Sequence, residues 1–370
     1  MKKENCDRII ELRHHLHQHA ELSMREKETS SILRTFLTEN TGFEVIDRGS
    51  WFYAVKRGHT ENRRIAFRAD MDALPIPEDG SLPYHSENSG ISHRCGHDGH
   101  AATLCGTALE LDQVALQRTV YLIFQPGEET GQGAVLCREL IRQEGISEIY
   151  ALHNRSGFRE NSLVYRFGLT QPSSEGIRIR LYGRTAHASA PEEGCNPADV
   201  MAETVLFLSE MAQKSFNGEV LCTVTGIRLG NGDFGISPGE GELCLTLRAE
   251  YEKELKHLET EVLNHVKMLC RDRGIRVESS VHDYFPETRN DDRCLQNMLS
   301  AASKRHMDII SMDKIWRASE DFGWYLKKCP GAIAYIGNGE NHPALHTDTY
   351  DFNDRILETA VDLLVDLATR

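Results

Sequence analysis

Hydrophobic positions along this chain change their spacing twice. The opening segment reads as helical, with one helix over about 7–19 and a second in "REKETSSILRTFLTEN" (25–40). Short β-like runs follow in "FEVIDRG", "WFYAVKRG" and "RRIAFRA" (63–69). The last runs into "DMDALPIPEDG", where prolines and acidic residues mark a loop. "AATLCGTALEL" is apolar almost all round, as a buried helix is. "TVYLIFQ" (119–125) and "EIYALH" (148–153) read as buried strands, with "GAVLCRELIRQEG" as the helix between them. Strand, helix, strand in this order predicts an α/β sheet with parallel neighbours.

From about residue 175 the pattern shifts to strict alternation. "EGIRIRLYGR" is a strand, "PADVMAETVLFLSEMAQKS" a helix, and "VLCTVTGIRLG" and "GELCLTLRAEY" are two more strands. "EKELKHLETEVLNHVKMLCRDRG" is a helix and "IRVESSVHDYF" a final strand, which completes the βαββαβ order of a ferredoxin-like unit. Helical patterns then resume in "DDRCLQNMLSAASKR", "EDFGWYLKK" and "DRILETAVDLLVDLATR", with "GAIAYIG" (331–337) as a strand. The expected fold is therefore an α/β domain with a mostly parallel sheet, built from 1–174 and 285–370. An inserted ferredoxin-like domain at 175–284 interrupts it. The length of 370 residues, too great for one ordinary core, agrees with two domains.

Composition narrows the functional classes. The formal charge of −14 repels phosphate backbones and anionic lipid, so neither nucleic acid nor a membrane surface is an expected partner. The lysines of "MKKENCDRIIELRHH" precede no apolar stretch, and no run is long enough to span a bilayer. Ten cysteines without close pairing fit a reducing compartment, so a cytoplasmic protein with free thiols is expected. The histidines of "RHHLHQH" (14–19) lack an acidic partner at ligand spacing and read as a solvated or capping face of the first helix.

Ligands of open α/β sheets bind beyond the carboxyl ends of the strands. Just past those ends lie Asp70 and Asp72, then Glu128 and Glu129 in "QPGEET", and His153 in "LHNRSG". His342 and His346 follow in "NGENHPALHTDTYDF", and Cys95 and His97 in "SHRCGHDGH" complete the set. Singly these groups are ordinary; tandem glutamates on a loop are usually solvated, and Asp98 reads as a helix cap. Their convergence from four strand ends points to a metal centre. Adjacent glutamates point different ways, so one can ligate while the other moves a proton from activated water to a leaving amine. Five or six ligands suit two ions better than one. The donors favour two divalent ions, Zn²⁺ or Mn²⁺, with Co²⁺ or Ni²⁺ as alternatives.

The segments "LRHHLHQHAELSMREKETS", "RADMDALPIPE", "HRCGHDGHAATL", "QPGEETGQGA", "GRTAHASAP", "SEDF" and "LHTDTYDFND" run in order from residue 12 to 354. Through them the chain resembles the di-metal aminoacylase and carboxypeptidase family, in its N-acyl-amino-acid amidohydrolase branch, which includes hippurate and auxin-conjugate hydrolases. The resemblance implies that Cys95, His97, Glu129, His153 and His346 are metal ligands and that Glu128 is the general base. It implies that His187 of the inserted domain helps bind substrate or stabilise the oxyanion, often across a homodimer formed through that domain. Asp72 and Asp98 lie in matching motifs and are expected to orient ligands; His100 is expected to be structural. Departures from the branch include Ala20, Arg94, the "GISPG" segment with Gly235, and Asn154 after the ligand histidine. These are expected on the substrate side.

The expected function is metal-dependent hydrolysis of the amide of a small N-acyl amino acid. A dipeptidase or carboxypeptidase would use the same centre, with Arg248 and Arg317 as candidate anchors for a substrate carboxylate. Both could equally be ordinary ion-pair partners. A non-catalytic metal-binding or sensor protein on this fold is disfavoured because it has no need of Glu128. A thiol redox enzyme using Cys95 would lack a resolving cysteine nearby.

Overall fold

The computed structural model describes residues 1–60, 64–211 and 216–370. Two compact units are present, residues 1–170 with 288–315 and 320–370, and residues 171–287 with 316–319. Arg63, the first residue of a predicted strand, and 212–215, the end of a predicted helix, lie outside the described residues.

The first unit is built on an eight-stranded sheet. Its order is Glu44–Asp47, Phe52–Lys56, Thr119–Gln125, Arg64–Asp70, Glu148–Ser156, Gly331–Gly339, Leu163–Tyr165 and Ile309–Ser311. The four strands from Thr119–Gln125 to Gly331–Gly339 are parallel, so their carboxyl ends share one edge. Antiparallel strands flank them at Phe52–Lys56 and Leu163–Tyr165. Alternation along the strands sorts side chains to the two faces. Phe52, Phe67, Leu122 and Phe124 join one core with the helices Lys3–Gln18, His97–Leu111 and Leu357–Ala368. Tyr53, Ala66, Tyr121 and Ile123 join the other, with Leu140, Phe322 and Tyr325. Covering on both faces explains why Thr119–Gln125 is buried at every position. Each large apolar side chain fully buried there contributes roughly 1.5–3 kcal/mol, which offsets the cost of the polar cluster at the sheet edge.

Two predicted helices are shorter in the structure. The segment 133–145 forms two short helices, Gly133–Cys137 and Glu139–Gln143. The segment 320–328 is helical only at Gly323–Leu326, because Glu320 and Asp321 turn inward to Arg68. The short strands Leu163–Tyr165 and Ile309–Ser311 were not anticipated by the alternation pattern.

The second unit has a four-stranded antiparallel sheet in the order Val220–Leu229, Glu240–Ala249, Ser173–Tyr182, Arg276–Phe285. Helices Ala198–Met211 and Glu252–Asp272 supply Val200, Leu208, Leu258 and Val262 to the core against that sheet. Chain order and strand order together give the ferredoxin-like arrangement. All ten cysteines are unpaired. Among the described residues no helix is long and apolar enough to cross a membrane.

Candidate metal centre

The carboxyl edge of the parallel strands gathers the candidate ligands of the first unit. The turn into helix His97–Leu111 carries two of them. Gly96, between Cys95 and His97, has φ 89°, and a Cβ there would meet Asn154 Oδ1 at 2.4 Å and the Tyr350 hydroxyl at 2.7 Å. Only glycine fits both that backbone and that space. A second glycine, Gly127 at φ 57°, starts the turn that presents Glu128 and Glu129. His346 also has positive φ, 64°, in a residue that rarely adopts it, and its N–H is held by the Arg94 carbonyl at 2.8 Å.

Two overlapping triads result. The ligand atoms of Cys95, His97 and His153 lie within 4.8 Å of one another, as do those of Cys95, Glu129 and His346. Cys95 Sγ is 3.5 Å from His153 Nε2 and 3.3 Å from His346 Nε2. His346 Nε2 is 3.4 Å from Glu129 Oε1, and His97 Nε2 is 3.8 Å from the same oxygen. All five predicted ligands therefore meet. Glu128 joins His97 and Glu129 in a further group within 4.8 Å.

The histidines are held as ligands would be. His97 Nδ1 faces the Asp72 carbonyl at 3.0 Å and Asp72 Oδ1 at 3.1 Å. Its Nε2 is left buried without a hydrogen-bond partner and turned to the cluster. His153 Nδ1 donates to the Asn154 carbonyl at 2.7 Å, which leaves Nε2 for the cluster. Asp72 also accepts from the Glu129 amide at 3.0 Å and the Ser23 hydroxyl at 2.7 Å, so one carboxylate braces two candidate ligands.

The charge balance fits cations. Burial, together with Glu129, Glu128 and Asp70, pushes the Cys95 thiol well above its usual range. Burial also opposes charge on His97, yet Asp70 and Asp72 raise its pKa to about 10. Burial, with Glu320, Glu129 and Asp321, lifts the Glu128 carboxyl far above normal. A crowded negative pocket with an orphaned imidazole nitrogen is satisfied by divalent ions, which favour thiolate and neutral imidazole.

Behind the ligands lies a polar layer that sequence reasoning did not assign. Arg68 bridges Asp70 at 2.7 Å, Glu320 at 3.0 Å and Asp321 at 2.7 Å. His100 is bound by Asp70 at 2.6 Å and Asn154 at 2.7 Å, so it has a bracing position. "SEDF" was the one available signal for Glu320 and Asp321.

Several expectations need correction. His17 and Arg13 of the first helix are fully buried, not solvated. His17 contacts Asp98 at 2.8 Å and Glu78 at 2.6 Å, and Arg13 contacts Asp98, Asp351 and Asp354. Asp98 stands within the first helical turn, with Gly96 at the cap position, and its carboxylate faces His17 and Arg13 rather than the candidate ligands. Arg94 and Asn154, expected on the substrate side, are buried: Arg94 bonds the Tyr350 carbonyl, and Asn154 bonds His100 and the Tyr350 hydroxyl. His342 turns away to the Asp351 carbonyl at 2.6 Å.

The remaining predicted residues belong to the second unit. His187 is exposed, and its Nδ1 accepts from the Ser189 amide at 3.2 Å, with the Ser189 hydroxyl at 2.7 Å, which places its proton on Nε2. Gly235 lies beside it, its carbonyl accepting from Ala188. Arg317 is paired with Glu219 at 3.1 Å. Arg248 bonds the Arg317 carbonyl at 3.0 Å and the Ser319 hydroxyl at 2.7 Å, and among the described residues it forms no ion pair.

Comparison with known proteins follows the same lines. Residues 66–370 match the family described as Peptidase family M20/M25/M40. The chain is 30% identical to an N-acetylcysteine deacetylase of Bacillus subtilis, over 92% of each protein. It is 28% identical to a hippurate hydrolase of Campylobacter jejuni, over 97% of this chain and 95% of that one. In structure it is similar to a dinuclear metal-binding peptidase of the M20 family from Bacillus subtilis. The TM-score is 0.84 at 26% identity, covering 100% of this chain and 98% of the other.

Proposed function

The chain belongs to the M20/M25/M40 peptidase family and is an amidohydrolase, and from that premise we propose that its substrates are N-acyl amino acids. The observation that carries the reading is the meeting of Cys95, His97, Glu129, His153 and His346 with the Glu128 carboxyl beside them. Those five side chains would hold two divalent ions, with Cys95 common to both triads. The ions would supply Lewis acidity towards an acyl carbonyl and towards water.

Glu128 takes a proton from the attacking water on a carboxylate oxygen and delivers it to the amine nitrogen as the C–N bond breaks. Burial, with the carboxylates of Glu320, Glu129 and Asp321 around it, raises its proton affinity above that of an ordinary carboxylate. Asp72 fixes the His97 tautomer and the Glu129 backbone. His187, with its proton on Nε2, is the donor for the oxyanion. Arg248 is the better anchor for a substrate carboxylate, because Arg317 already has Glu219. The second unit is the lid and homodimer surface; exposed Phe234, Leu206 and Ile227 support that role. The setting proposed is cytoplasmic, with Zn²⁺ or Mn²⁺ as the working ion.

The test is release of free amino acid from a panel of N-acyl amino acids and dipeptides. The protein is stripped and reloaded with Mn²⁺, Zn²⁺, Co²⁺ or Ni²⁺. Metal-dependent cleavage of acyl amino acids is expected. Cleavage of dipeptides alone, or none with metal fully loaded, would refute the assignment.

A further inference from the structure

A carboxyl that moves a proton between water and a leaving amine has to be placed accurately. Among the described residues, no N–H or hydroxyl is hydrogen-bonded to the Glu128 carboxyl. Its position therefore rests on the backbone that carries it. That backbone, 127–134, hangs from the carboxylates of three other segments. Asp72 accepts from the Glu129 amide at 3.0 Å, and Asp321 accepts from the Ala134 amide at 2.9 Å. The third is Glu26, whose Oε1 accepts from the Gly127 amide at 2.7 Å.

Glu26 stands immediately before helix Lys27–Asn40, at a position whose side chain commonly accepts from the first-turn amides. It makes no such bond. Glu21 supplies that acceptor instead, with Oε2 at 2.9 Å from the Thr29 amide and 3.1 Å from its hydroxyl. Glu26 is buried, and among the described residues it forms no ion pair. Its Oε1 turns back to the Met24 amide at 2.9 Å and across to Gly127.

The chain accepts local strain to reach this arrangement. Met24 takes φ 65°, which few residues other than glycine adopt, in a turn closed by the Arg25 amide on the Leu22 carbonyl at 2.9 Å. A Cβ on Gly127 would meet the Met24 sulfur at 2.6 Å, so the two turns lie against each other. Ser23, in the same turn, donates to Asp72 at 2.7 Å. Segment 22–26 thus reaches both sides of Glu128, Gly127 through Glu26 and Glu129 through Asp72.

Resting on the reading of Glu128 as general base, we propose that Glu26 is its positioning residue: by fixing the Gly127 amide it sets where the Glu128 carboxyl stands. Glu26→Ala removes the acceptor, and Glu26→Gln keeps an oxygen in its place. The assay uses metal-loaded protein and the amide that the wild type cleaves fastest in the panel above. Glu26→Ala should lower kcat about 10–100-fold, the cost of a small misplacement of a reacting group, with KM little changed. Glu26→Gln should recover most of that loss. Hydrogen exchange in the peptide carrying Gly127 should quicken in Glu26→Ala and not in Glu26→Gln. Both should keep the wild-type metal content, because the Glu129 amide stays on Asp72. If Glu26→Ala fails to fold, Glu26→Asp, which withdraws the same oxygen by one methylene, takes its place. Unchanged kcat, equal losses in the Ala and Gln variants, unaltered exchange, or loss of metal from Glu26→Ala would each overturn the proposal. Glu128→Gln measured beside them separates two failures. If it abolishes turnover while Glu26→Ala does not, the positioning role falls and the general base stands. Turnover that survives Glu128→Gln, or none in the wild type, would overturn the general-base reading and this proposal with it.

Discussion

Replacing Asp72 by Ala removes three acceptor contacts at once, to His97 Nδ1 at 3.1 Å, the Glu129 amide at 3.0 Å and the Ser23 hydroxyl at 2.7 Å. The losses are unequal. His97 Nδ1 retains the residue-72 carbonyl at 3.0 Å, which alanine also supplies, so the tautomer survives while the ring gains freedom. Ser23 is only half-buried and finds water. The Glu129 amide loses its acceptor, a cost of about 1–3 kcal/mol at a backbone that carries a candidate ligand. Removing such a partner of a metal ligand typically weakens metal binding about 10–100-fold, or about 1.4–2.8 kcal/mol. The surviving carbonyl argues for the lower end, roughly tenfold. Competition of stripped protein with a chromophoric chelator for Zn²⁺ measures the affinity, and urea unfolding of both forms measures stability. Unchanged metal affinity beside lowered stability would refute the reasoning, for Asp72 would then support the fold and not the ligands.

Glu128→Gln should lower turnover about 10²–10⁴-fold with metal content intact; elemental analysis showing lost metal would reassign the residue as a ligand. Arg13→Met leaves fully buried Asp98 with one partner fewer, and urea unfolding should show a loss near 3 kcal/mol, the low end of about 3–5 kcal/mol for a broken buried pair. The discount reflects Asp351 and Asp354, whose side chains are 22% and 26% exposed and can be hydrated. Burial opposes charge on His17, but Asp98 and Glu78 outweigh it and raise its pKa from 6.5 to about 9. Its contribution to stability is therefore complete below 6.5 and lost as pH rises through about 9. Wild type minus His17→Gln stability, followed by urea unfolding from acid to alkaline pH, should shrink across that window; a constant difference would contradict it. Peroxide should inactivate the wild type faster than Cys95→Asp, since oxidised sulfur no longer ligates as thiolate; equal rates would remove Cys95 from the centre.

The central strands were legible in the sequence because runs such as "TVYLIFQ" are short, apolar and buried on both faces, whereas the three-residue strands Leu163–Tyr165 and Ile309–Ser311 are too short to show a pattern. The ends of the central strands then located the cluster, since parallel strands deliver Asp70, Glu128 and His153 to one edge. The layer behind the ligands was not legible. The partners of Arg13 and His17 lie 61 or more residues away, and helical spacing carries no trace of them. The same distance hides Arg94 and Asn154. A polar residue beside a ligand reads as substrate-facing until the chain folds Tyr350 over it.

The most direct measurement is metal bound per chain, by elemental analysis of wild type and Cys95→Ala, followed together with hydrolysis of an N-acetyl amino acid. Two divalent ions in the wild type, activity rising in step with them, and weakened binding with lost activity in Cys95→Ala are expected. Metal stoichiometry and activity untouched by Cys95→Ala would contradict a centre built around that thiolate.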